Sequence, residues 1–99
     1  MILITGSILA KPETFEALRE AGLDHSRRSR GEPGCIAHNV HVDCENPLKL
    51  VFVEKWQDQN AVTSHFRVKG SLEFVTAARK LAAEPPVIEL FDTKVLPFG

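Results

Sequence analysis

His65 is the residue of this chain best suited to move a proton. It shares a helical stripe with Ala61, Val62 and Phe66, so it is expected to face a sheet rather than water. An imidazole with an ordinary pKa of about 6.5 can take a proton from a phenol, or from a carbon beside a carbonyl, at neutral pH. The plain alternative is a half-buried histidine that hydrogen-bonds the backbone. Strand alternation puts Phe52, Glu54 and Trp56 on one face. Two flat rings would suit an aromatic substrate and would keep water from a reactive carbanion, although core packing is the commoner fate of such rings. Glu54 between them is an unusual carboxylate. It is expected to pair with a helix residue or lie at a dimer interface, with a general-base role less favoured.

The other polar residues suggest less. His38 and His41 are three apart on one strand, which sends them to opposite faces, and His25 is near the end of the first helix without an evident partner. No metal site is expected from this spacing. Arg27, Arg28 and Arg30 sit at the C-terminal end of a helix, where the dipole disfavours an anion. Cys35 and Cys44 have no neighbouring base in sequence and read as spectator thiols. Phosphate-binding glycine loops and dinucleotide fingerprints are missing from the sequence, so no cofactor is expected.

These residues need elements to hold them. MILITGSIL, residues 1–9, reads as a strand with Ile2, Ile4 and Ile8 on one face. A helix starts at Lys11-Pro12-Glu13, carries Phe15, Leu18 and Gly22 at helical spacing, and stops near Arg30 before Gly31. A second strand runs from Cys35 to Val42, and Asp43 to Pro47 has turn composition. Leu48 to Trp56 forms the third strand. Asp58 caps a short helix, Gly70-Ser71 breaks it, and Leu72, Val75, Ala78, Leu81 and Ala82 make a second helical stripe. Pro85-Pro86 precedes a last strand, Val87 to Val95. The order is β-α-β-β-α-β, an α+β ferredoxin-like sandwich in one domain, residues 1–99.

Bulk composition agrees. A 99-residue chain with 43% hydrophobic and 25% charged residues is an ordinary globular domain. With a net charge of −1 it shows no electrostatic footprint for nucleic acid or an anionic membrane. No stretch approaches a membrane span of about 20 apolar residues. The first ten residues lack a basic leader, so cytoplasm is the expected location.

The run Ser29-Arg30-Gly31-Glu32-Pro33-Gly34-Cys35 resembles the helix-to-strand junction of the antibiotic biosynthesis monooxygenase superfamily. Glu54-x-Trp56-x-Asp58, Ala61 and His65 follow at the spacing of that family, so the resemblance covers nearly the whole chain. It implies a homodimer whose two sheets pack into an α+β barrel, with a pocket between sheet and helices in each subunit. It also implies, as first choice, a cofactor-independent monooxygenase acting with dioxygen on a quinol-like or polycyclic phenolic substrate. His65 would then be catalytic, and Trp56, Phe52, Phe66 and Glu54 would line the substrate. The rival expectations are an isomerase or processing enzyme for a small signal or sugar-derived ketone, with Arg67, Lys69 and Arg79 supplying charge, and a non-catalytic ligand-binding domain. Haem breakdown is not expected. Strand one lacks the asparagine of the family's haem-cleaving members, and residues 72–84 hold no histidine.

Overall fold

A computed structural model describes residues 1–98. Strand β1 is Ile2–Leu9, helix α1 Phe15–Ser29, strand β2 Cys35–Asp43, strand β3 Asn46–Trp56, helices α2 Gln59–Arg67 and α3 Lys69–Leu81, and strand β4 Val87–Asp92. The sheet is antiparallel in the order β2-β3-β1-β4, with the helices on one face. The expected α+β ferredoxin-like arrangement is therefore present, with its second helical segment divided in two.

Alternation decides what each face buries. On β1 and β3, Ile4, Ile8, Leu50, Phe52, Glu54 and Trp56 point toward the helices and are buried. One apolar cluster joins Ile8, Leu18, Leu50, Phe52 and Ala78, and a second joins Ile4, Trp56 and Val62. The first is closed at Gly22, where an added Cβ would meet the Phe52 ring at 3.1 Å. Leu3, Thr5, Val51 and Val53 look the other way and are only half-buried.

Several sequence expectations are corrected at this level. Helix α1 begins at Phe15, because residues 12–14 form a turn in which Thr14 Oγ1 donates to Leu81 O at 2.7 Å. Asn46 and Pro47 belong to β3 rather than to the hairpin turn. The break between α2 and α3 is at Val68, whose backbone is extended (φ −62°, ψ 136°), and Gly70 lies inside α3. The buried positions of α3 are Ser71 and Ala78, with Phe74 and Leu81 half-buried, whereas Leu72 and Val75 are exposed. Starting the helix at Lys69 fixes that rotation. The last strand ends at Asp92, three residues short of the expected end. Among the described residues no helix is long and apolar enough to cross a membrane.

Candidate functional site

Four elements bring their polar side chains to one place beneath α3. The β2–β3 ladder sets His38 directly opposite Glu54, with His38 Nε2 3.3 Å from Glu54 Oε1. Asp58 is the N-cap of α2, its Oδ1 accepting from the Ala61 amide at 2.9 Å. That cap starts the helix so that His65 turns inward, its Nε2 3.9 Å from the same Glu54 oxygen. From α1, His25 stacks on Phe74 with ring centroids 4.2 Å apart and lies 4.9 Å from His38 and 5.3 Å from His65. One ring nitrogen from each of the three histidines lies within 4.8 Å of the others.

The Nδ1 nitrogen of each ring has a partner outside the three histidines. Glu32 Oε1 sits 2.9 Å from His65 Nδ1, Ser26 Oγ 2.8 Å from His38 Nδ1, and Arg28 donates to His25 Nδ1. A carboxylate can only accept here, so the His65 proton is on Nδ1 and Nε2 offers a lone pair. The guanidinium can only donate, so neutral His25 carries its proton on Nε2. His38 Nε2 is buried and has no aligned hydrogen-bond partner among the described residues.

Burial governs the charge of this group. It pushes His25 down to about 3, helped by the neighbouring His38, His65 and Arg28, and pushes His38 down to about 3, helped by His65, Arg30 and Arg28. His65 is also lowered by burial, against the opposing effect of its Glu32 bond. Glu54 is raised to about 7 by burial, with the Trp56 hydrogen bond opposing and the Glu32 charge adding. The site is thus a set of neutral imidazoles beside a carboxyl able to exchange a proton near neutrality.

A cavity of about 270 Å³ opens above it. Its walls come from β1 and the start of β4 (Gly6, Val87, Ile88), from Phe52, and from α3 (Phe74, Val75, Ala78). His25, Glu54 and His65 lie at its polar end. The helices leave edge strand β4 uncovered, and this is why a cavity exists between β4 and α3.

Of the residues singled out from sequence, His65, Phe52, Glu54 and Phe66 line this cavity. Phe66 is 42% exposed, so it stands at the mouth instead of on the buried stripe. Trp56 does not line it. The indole is fully buried, lies tilted by 35° against the His65 ring with centroids 4.5 Å apart, and donates from Nε1 to Glu54 Oε1 at 3.0 Å. It supports both groups from behind: Glu54 lies near the helix residue His65, as expected, and near His38, while its one aligned hydrogen bond comes from this strand neighbour. Arg79 reaches the cavity, whereas Arg67 and Lys69 are not among its lining residues. His41 is exposed and apart from the cluster. His25 and His38 are the site residues that spacing along the chain does not find. Their only signal is histidine at positions that turn out to be buried.

The comparisons with known proteins agree with this architecture. The sequence profile of the antibiotic biosynthesis monooxygenase family matches residues 1–79. The chain belongs to that family. An uncharacterised protein of Synechocystis is 30% identical over 91% of this chain, which spans 61% of that protein's length. Among solved structures, an antibiotic biosynthesis monooxygenase superposes with a TM-score of 0.88 at 23% identity, over 96% of this chain and all of its own. A Deinococcus radiodurans protein assigned to the same family gives 0.92 at 22% identity with both chains fully covered. A protein from Shewanella oneidensis gives 0.85 at 27% identity, over 91% of this chain and 87% of that one. At 22–23% identity the first two support the fold alone.

Proposed function

We propose that this chain is a monooxygenase that oxidises a quinol-like or polycyclic phenolic substrate with dioxygen, the substrate itself supplying the electrons. The observation that carries the reading is the placement of His65: it lines an apolar cavity, and Glu32 holds the proton on Nδ1, which leaves Nε2 as the atom able to accept one. A phenol seated between Phe52, Phe74 and the rim residue Phe66 presents its hydroxyl to that nitrogen. His65 takes the proton, and the Glu32 carboxylate stabilises the imidazolium. The substrate anion passes an electron to dioxygen. The two radicals then join through a new carbon–oxygen bond as a hydroperoxide. Loss of water from a ring CH–OOH leaves a carbonyl, so that CH2 and O2 become C=O and H2O without another reductant. Glu54, with its raised pKa, is placed to exchange the released proton.

The uncovered sheet face and the exposed Val87 and Phe91 support a homodimer joined sheet to sheet. Oxygen uptake with a panel of dihydroquinones and anthrones, compared between air and anaerobic buffer, tests the activity. A His–Glu pair would also serve an isomerase acting on a small ketone, which would turn over equally well without oxygen. A ligand-binding domain would bind members of the panel and consume no oxygen.

A further inference from the structure

We infer that His38, His65 and Glu54, joined by His25, form a binding site for one first-row divalent metal ion such as zinc, cobalt or iron(II). Three neutral imidazoles and one carboxylate are the donor set such ions favour. Donor atoms around a tetrahedral ion with bonds of about 2.1 Å lie about 3.4 Å apart. His38 Nε2 and Glu54 Oε1 are 3.3 Å apart, His65 Nε2 is 3.9 Å from the same oxygen, and the histidine nitrogens lie within 4.8 Å of one another, so the rings must draw in by about an ångström to close the set. The unpartnered, fully buried His38 Nε2 is the independent sign. Burying an imidazole nitrogen without a partner is costly, and a metal bond would relieve that.

The surroundings fit as well. Metal-binding histidines characteristically have the other ring nitrogen held by a carboxylate, hydroxyl or carbonyl, which fixes ring and tautomer. Glu32 does this for His65 and Ser26 for His38, and the Trp56 indole steadies Glu54. His25 is the ligand that must adjust. Arg28 now donates to its Nδ1 and so keeps the proton on Nε2. Release of the solvent-exposed Arg28 side chain frees His25 to bind. The ligands come from α1, β2, β3 and α2, and for this reason no spacing rule along the chain finds them.

This inference goes beyond the oxidation reading, since an ion bound to His65 Nε2 removes that atom as a base. Binding and turnover therefore test different claims. The experiment is a titration of chelator-stripped protein with cobalt(II) alone, followed by visible absorption and by proton NMR of the cobalt-shifted exchangeable ring N–H signals. The expected result is one tightly bound ion per chain, with shifted N–H signals from at least two histidines. Zinc should displace the cobalt stoichiometrically. His41→Ala should bind unchanged, and Glu32→Gln should weaken binding about 10–100-fold. Absence of binding by the folded wild-type chain, or a bound ion with fewer than two shifted histidine signals, overturns the site. These wild-type signals decide the matter even if His38→Ala does not fold. Oxygen uptake by the stripped protein reports separately on the base reading.

Discussion

His38 and Glu54 stand directly opposite one another across the β2–β3 ladder, although 16 residues of chain separate them and a bulge lies between. Near the turn Asp43 pairs with Asn46, so residue numbers across the ladder sum to 89; beyond the bulge Val42 pairs with Leu50 and they sum to 92. Without that shift His38 would face Val51, on the other side of the sheet. The irregularity thus puts an imidazole beside the buried carboxyl.

The site predicts a specific fragility at the junction before β2. Gly34 has φ +81°, and an added Cβ would lie 2.5 Å from the Ala61 Cβ. Gly34→Ala should lower stability by about 1–3 kcal/mol, read as a lower urea midpoint with an unchanged slope. Adding Ala61→Gly should recover part of the loss, because it removes the clash but leaves the backbone strain. An unshifted midpoint for the single variant would contradict this.

The two thiols should react at different rates. Burial raises the Cys35 thiol above its ordinary value, and the charges of Glu32 and Glu54 add to this, while Cys44 is exposed. Less thiolate and less access both slow alkylation. Iodoacetamide at neutral pH, followed by peptide mass spectrometry, should label Cys44 well before Cys35. Equal rates would argue against the packing around Cys35.

Association through the uncovered sheet face should depend on Phe91. Its partner across the ladder is Leu3, on the face away from the helices, and it is 43% exposed in the single chain. A stable sheet-to-sheet dimer of this kind buries about 2,000 Å² or more, and a charge at its centre would oppose it. Sedimentation should give a dimer for the wild type and a monomer for Phe91→Glu. A wild-type monomer at micromolar concentration would contradict the dimer proposal.

Much of this is legible in the sequence, and the rest fails for identifiable reasons. Alternation in residues 48–56 gives the inward set Phe52, Glu54 and Trp56, and the Asp58 cap gives the inward turn of His65, both as observed. His25 and His38 are not legible, because their meeting depends on the β2–β3 bulge and on the packing of α1 against the sheet. Trp56 reads as a wall of the cavity but lies behind it, since period-2 patterning gives the face and not the depth. Leu72 and Val75 read as buried because the α2–α3 break at Val68 leaves no mark in the sequence, and Gly70 attracts the boundary instead.

The central claim is that His65 takes the substrate's proton in an oxygen-consuming reaction. Its most direct test is the rate of oxygen uptake by chelator-stripped wild type and His65→Ala on the best substrate of the hydroquinone and anthrone panel. The variant should be slower by about 10²–10⁴-fold while remaining folded, with His41→Ala at the wild-type rate. A folded His65→Ala protein that consumes oxygen as fast as the wild type would contradict the account.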